Sequence, residues 1–231
     1  MSTTSPDEDQ LKMAAAESAV AQVTDGLIVG LGSGSTAAFA VDILGRRVRE
    51  GLRIVGIPTS ERTAAQARAL GIPLSNLEDH PQVDITIDGA DEVEQKHLDL
   101  IKGRGGALLR EKIIATASKK LVIIVHSEKV VTRLGVKDPV PIEIVPFGWQ
   151  ATALRLSTLG AKPLLRRNAD GAPYRTDGGN YIVDCTFEKI DPADSLARNI
   201  DHVVGVVEHG LFVGLTSEVH VAGAGGVRIL S

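Results

Sequence analysis

The 231-residue chain has a single cysteine, Cys185, so it cannot form an internal disulfide, and a reducing compartment is the simplest setting. It has no apolar run approaching the ~18 residues of a membrane span. Its first ten residues, MSTTSPDEDQ, are acidic and polar, unlike a secretory signal. A cytoplasmic protein without a membrane partner is expected. An excess of positive charge is also missing: 25 Lys and Arg stand against 29 Asp and Glu, so no global field attracts a polyanion, and nucleic acid is not an expected partner. The six histidines (His80, His97, His126, His202, His209, His220) show no ligand spacing, which leaves a zinc site or a Ser-His-Asp triad without support. There is no internal repeat and no low-complexity segment. What remains is an ordinary globular balance, 43% hydrophobic and 23% charged residues, in a chain long enough for one or two domains.

Strand and helix patterns alternate through the first part. Ser5-Pro6-Asp7-Glu8 has the spacing of a capping box with proline at the first helical position, opening a helix to about Val23. Strands are expected at 27–30, 53–57, 83–87 and 121–125, and helices at 35–50, from the Ser60 cap to Leu70, and at 106–119. That alternation predicts a Rossmann-like parallel sheet flanked by helices. From Pro139 the order becomes βαββαβ: a strand at 140–146, a helix at 149–159, a hairpin of AKPLLRR and YIVDCTF, a helix from Asp191-Pro192, and a strand at 203–208. This is the split-βαβ order of a smaller α+β, ferredoxin-like domain. We expect it at 139–208, inserted near the C-terminus of a first domain made of 1–138 and 209–231.

Three loops carry candidate chemistry. GLGSGST (30–36) follows an apolar strand and opens a helix. Its spacing departs from the dinucleotide G-x-G-x-x-G, the next strand ends without an acid for the ribose, and the Gly-Lys-Ser/Thr of a P-loop is absent. It suits either one small phosphate at a helix N-terminus or simply a capped turn. Asp88-Gly89-Ala90-Asp91-Glu92 follows the strand VDITI, where open α/β sheets bind ligands. Its carboxylates could cap turns, touch a ligand or hold magnesium, although no second dense acidic cluster or nucleotide motif accompanies them. In KGRGGALLREK (102–112), Glu111 shares a helical stripe with Leu108 and Ala115. A partly desolvated glutamate there would make a base near neutral pH; a surface ion pair with Arg110 or Lys112 is the alternative.

Together, GLGSGSTAAFAVDILG, IDGADEV, IKGRGGALLREKIIA and SEKVVTRLG resemble the signature of the type A ribose-5-phosphate isomerase family, in its order and at close to its spacing. The resemblance covers essentially the whole chain, including the late βαββαβ segment and the C-terminal GLFVG. Arg104 is the main departure, standing where many family members have glycine; altered loop detail without loss of activity is expected. The resemblance implies reversible conversion of ribose 5-phosphate to ribulose 5-phosphate through an enediolate, in the non-oxidative pentose phosphate pathway, without metal or organic cofactor. It gives Glu111 the proton transfer, and Lys102 with the adjacent glycine N–H groups (Gly103, Gly105) the developing negative charge, with Arg104 among the substrate-binding residues. Asp88 and Asp91, with Gly89 and Ala90 between them, would orient the sugar hydroxyls. Ser33, Gly34, Ser35 and Thr36 would hold the substrate, with Lys12 and Lys129 lining the site. A homodimer or homotetramer is also implied. The alternatives are a sugar-phosphate deaminase or coenzyme A transferase on a related scaffold, or a non-catalytic sugar-phosphate sensor. A sensor-type regulator should carry a DNA-binding region, for which the first eight residues leave no space.

Overall fold

The computed structural model of the chain describes residues 8–231. In chain order the elements are α1 (Glu8–Val20), β1 (Ile28–Leu31), α2 (Ser35–Arg49), β2 (Val55–Pro58), α3 (Glu61–Ala69), β3 (Ile85–Gly89), β4 (Glu92–Glu94), β5 (Leu100–Ile101) and α4 (Leu108–Thr116). They continue with β6 (Leu121–His126), a 3-10 turn (Ser127–Lys129), β7 (Val130–Val131), β8 (Val140–Ile144), α5 (Trp149–Ser157), β9 (Ala161–Leu165) and β10 (Tyr181–Phe187). The last are α6 (Ala193–Asp201), β11 (Val206–His209), β12 (Leu211–Phe212), β13 (Glu218–Gly223) and β14 (Gly226–Leu230). Ser5 to Asp7 of the expected capping box lie outside the described residues. None of the described helices is long and apolar enough to cross a membrane.

The chain divides into two compact units. The first gathers the chain up to Ala90, Arg110–Val130 and Leu215–Ser231. Its six-stranded sheet has the order β14-β13-β6-β3-β1-β2, parallel except for the edge strand β14. This is the expected parallel sheet, and the C-terminal segment returns to it through β13 and β14. β6 is buried along its whole length, as its unbroken apolar run requires of a strand covered on both faces. On one side Ala15, Ala16 and Ala19 of α1 and Ala40, Val41 and Leu44 of α2 pack into a core with Val29, Ile87 and Ile124. At α3, Ser60 accepts a hydrogen bond from the Thr63 N–H (3.1 Å), the cap its position predicts. Because β2, β1, β3 and β6 run parallel, their carboxyl ends share one edge. There the loops after Pro58, Leu31, Gly89 and His126 emerge side by side.

The second unit holds Asp91–Leu109 and Val131–Gly214. Within it β8-α5-β9-β10-α6-β11 forms an antiparallel sheet in the order β11-β8-β10-β9, the ferredoxin-like arrangement expected from the sequence. Its core sets Ile142, Ile144 and Val183 against Leu156 and Ile200 of the two helices. A second small sheet, β12-β5-β4-β7, has no counterpart in the sequence reading. The units part at other residues than 139 and 209: residues 91–109, 131–138 and 209–214 belong to the second unit. The chain crosses between units at Ala90–Asp91, Leu109–Arg110 and Val130–Val131, inside three of the four motif segments, and again at Gly214–Leu215.

Candidate active site

In the first unit the site starts from the turn after β1. Gly32 lets this turn lie directly on β3: a Cβ at Gly32 would fall 2.3 Å from Asp88 Oδ1 and 2.6 Å from Asp88 Cα. Gly34 has φ +102°, open to glycine alone, and stands at the N-cap of α2 without a side chain to cover the helix's first N–H groups. Asp88, only 1% exposed, accepts hydrogen bonds at Oδ1 from the N–H groups of Ser33 (3.0 Å) and Gly89 (2.8 Å). Thr36 approaches the same place, since a Cβ at Gly89 would lie 3.7 Å from its Cβ. Ser35 is exposed and Thr36 half-buried, so both hydroxyls sit at the helix end where an anion is favoured.

Ser33 is turned the other way. Its hydroxyl is buried among those of Thr59 (2.7 Å), Ser60 (2.7 Å) and Thr63 (3.0 Å). The Thr59 and Thr63 hydroxyls donate in turn to Leu31 O and Gly32 O. Four hydroxyls thus pin the glycine turn to the loop after β2. Only the carboxyl-edge position of "PTSERT" hinted at this in the sequence.

Lys12 and Lys129 both belong to this unit. Lys12 is buried in α1 and bonded to Glu8 (2.8 Å) and Asp9 (3.3 Å); the Glu8 hydrogen bond holds its ammonium above its ordinary value. Burial pushes His126, at the end of β6, below its ordinary value, and Lys129 and Lys12 both act on it electrostatically. Glu111, in the first turn of α4, is 4% exposed. The neighbouring Arg110 guanidinium donates to Glu61 at 2.8 Å. Burial follows from the stripe it shares with the buried Leu108, Ile114 and Ala115.

The second unit supplies the other motif residues. Lys102 follows β5, is 2% exposed, and lies over the Phe212 ring at 5.5 Å. Its N–H donates to Gly210 O (2.9 Å), and the turn beyond it closes through Gly106 N–H to Gly103 O (3.0 Å). Asp91 Oδ2 accepts from the Arg104 N–H (2.9 Å), while the exposed Arg104 guanidinium pairs with Asp138 (2.9 Å). Asp91, Arg104 and Asp138 help line a cleft of about 200 Å³. Glu92, fully buried, accepts from the N–H groups of Gly135 (2.7 Å), Lys137 (2.6 Å) and Asp138 (2.8 Å), and so works as an anchor for that loop. Each carboxylate of the acidic cluster therefore accepts from backbone N–H groups, which favour its charged form.

Among the described residues, Asp201, Glu208 and His209 alone bring possible metal-ligand atoms within 4.8 Å of one another. The geometry is that of a hydrogen-bonded pair. His209 Nδ1 accepts from the Leu211 N–H (3.2 Å), which leaves the ring proton on Nε2, facing Asp201 Oδ1 at 3.2 Å. Neither ring nitrogen then offers a lone pair to a metal.

Buried acids at the ligand-binding edge of a parallel sheet, beside an open helix N-terminus, define a class: α/β proteins suited to acid–base chemistry on small anionic ligands. Comparison with known proteins makes this particular. The family model described as ribose 5-phosphate isomerase A (phosphoriboisomerase A) matches residues 55–226. The ribose-5-phosphate isomerase A of Gloeobacter violaceus is 57% identical over 225 residues, covering 97% of this chain and 97% of that protein. A solved ribose 5-phosphate isomerase A from Methanocaldococcus jannaschii superposes with a TM-score of 0.94 at 40% identity, over 97% of this chain and all of that one. A D-ribose-5-phosphate isomerase in complex with phospho-erythronic acid gives 0.95 at 37% identity, over 98% of this chain and 100% of its own. The chain belongs to the ribose-5-phosphate isomerase A family.

Proposed function

We propose that this protein interconverts ribose 5-phosphate and ribulose 5-phosphate, with Glu111 as the group that moves the proton. The observation that carries this reading is a glutamate buried in the first turn of a helix, in a chain related over its whole length to isomerases of this name. Moving the carbonyl from C1 to C2 requires a base to take the C2 proton and return it at C1. One carboxylate between the two carbons does both. Negative charge appears meanwhile on the carbonyl oxygen. The Lys102 ammonium and the N–H groups of the Gly103–Gly106 turn meet it, because fixed donors away from water stabilise such charge strongly. Asp88 and Asp91 hold the sugar hydroxyls and pass the proton between O1 and O2. The α2 N-terminus with Ser35 and Thr36, together with Lys12 and Lys129, binds the remaining hydroxyls and the phosphate. Ser33 contributes by fixing the loop, and Gly34, Gly89 and Ala90 by their backbone.

No metal or organic group enters this scheme. The family relationship leaves nothing in favour of a deaminase, a transferase or a sensor. We assign the protein to the cytoplasm on its single buried thiol. We also assign a homodimer or homotetramer, supported by Phe147, Val204 and Leu154 of the second unit, which stand 94%, 91% and 70% exposed. A coupled assay of the purified protein with ribose 5-phosphate tests the reading: ribulose 5-phosphate forms, and its failure to form removes the proposal. Light scattering tests the assembly, which a monomeric mass would refute.

A further inference from the structure

The second unit contains an ion pair that no motif signals. Arg166 directly follows β9, and Asp184 lies in β10, in register with Leu164. The guanidinium grips the Asp184 carboxylate through Nε (2.9 Å) and Nη2, a two-point fork that fixes its plane. Its Nη1 donates to two main-chain carbonyls, Gly103 O and Arg104 O, each at 3.0 Å. Both belong to the turn between Lys102 and α4.

We propose that Arg166 is a positioning residue for the isomerisation, setting the direction of the N–H groups of Arg104 and Gly105. This rests on the isomerase reading given above. In a trans peptide the carbonyl and the following N–H point to opposite sides. Both peptides of this turn are trans, the cis bond of the described residues being Asp191-Pro192. With Gly103 O drawn to Arg166, the Arg104 N–H must face away, and it does so, reaching Asp91 Oδ2 at 2.9 Å. With Arg104 O held likewise, the Gly105 N–H is directed away from the guanidinium as well. One side chain therefore orients two peptide planes, and through them a backbone donor and the Asp91 carboxylate. Tyr174 closes the arrangement: its ring lies 5.9 Å from the Arg166 guanidinium, and a Cβ at Gly106 would fall 2.2 Å from its hydroxyl. A lysine in place of Arg166 carries all its donors on one nitrogen and cannot serve the carboxylate fork and both carbonyls together.

The test compares two ligands that differ where charge develops. Phospho-erythronic acid presents a carboxylate there; ribitol 5-phosphate presents neutral hydroxyls. In Arg166→Lys, kcat falls about 10- to 100-fold, as misplacing reactive groups does, while KM stays within about threefold. The inhibition constant for phospho-erythronic acid rises at least about tenfold, and that for ribitol 5-phosphate stays within about threefold. Asp184→Asn, which keeps the arginine but withdraws an anionic acceptor, shifts both readouts the same way by less. Far-UV circular dichroism shows that each variant is folded. Unchanged turnover in both variants, or equal weakening of both ligands, overturns the inference and leaves the isomerase reading intact. A wild-type protein inactive on ribose 5-phosphate overturns the isomerase reading and this inference with it.

Discussion

Gly32→Ala probes how closely the glycine turn must approach Asp88. The added Cβ would lie 2.3 Å from Asp88 Oδ1, 2.5 Å from Cγ and 2.6 Å from Cα. Carbon contacts relax only at about 3.5–4.0 Å, so roughly 1 Å of displacement is needed. A side chain alone could swing aside, but the Asp88 Cα belongs to β3, which is hydrogen-bonded between β1 and β6. The turn must lift instead, and the Ser33 N–H to Asp88 bond of 3.0 Å is lost with it. Overpacking costs about 1–3 kcal/mol, and losing a hydrogen bond to a charged group about 1.5–3 kcal/mol. A loss of roughly 3–5 kcal/mol is a large part of the ~5–15 kcal/mol that holds a typical protein folded. Gly34→Ala is the control. Nothing lies within 4 Å of its Cβ, but its φ of +102° is strained for alanine, at about 1–3 kcal/mol. Urea unfolding should rank the variants wild type, Gly34→Ala, Gly32→Ala, and the isomerase assay should show kcat of Gly32→Ala down by more than about tenfold. A Gly32→Ala protein with the wild-type midpoint and full turnover would refute the argument that this contact builds the site.

Four further outcomes can be measured. Ser35→Ala and Thr36→Ala should raise KM for ribose 5-phosphate about ten- to a hundred-fold, and more than for ribose. Ser33→Ala, which empties the four-hydroxyl cluster, should cost about 1–3 kcal/mol in urea unfolding with KM little changed. Exhaustive chelation should leave turnover intact, measured with and without added magnesium; loss and recovery would make Asp88, Asp91 and Glu92 a metal site. For Glu218, burial raises the carboxyl, but hydrogen bonds from Gln22, His220 and Lys120 outweigh it and hold the value at about 2. A depressed folded value contributes stability above the unfolded value near 4.5, lost as pH falls toward 2. Between pH 7 and pH 3 the wild type should lose about 2 kcal/mol more than Glu218→Gln, and equal losses would remove the assignment.

Much of the fold could be read from periodicity and punctuation. YIVDCTF is a strand over the residues expected, Ser60 caps α3, and the βαββαβ order reproduces the observed sheet. β4, β5, β7 and β12 escaped notice because strands of two or three residues are too short to show a period. The motif loops were legible as candidates because glycines, hydroxyls and acids at strand ends have few uses. The direction of each side chain was not. Ser33 turns inward because Thr59 and Ser60 of the loop after β2 and Thr63 of α3 stand across from it. Glu92 could not be told from Asp88 and Asp91 until the loop at 135–138 folded onto it. Arg166 lies 62 residues beyond Arg104, and only the register of β9 with β10 brings its guanidinium to that turn.

The central claim is that the Glu111 carboxylate carries the proton. Glu111→Gln keeps the size and much of the hydrogen bonding of a buried side chain while removing its basicity. The decisive measurement is exchange of the substrate's C2 proton with solvent deuterium, followed by NMR alongside turnover and substrate binding. Exchange should be lost and kcat should fall by about 10²–10⁴-fold with binding largely retained. Substitution of Glu92 or Glu94 should impair exchange less. If Glu111→Gln turns over and exchanges at near wild-type rates, the base is elsewhere, and Asp88 or Asp91 takes its place.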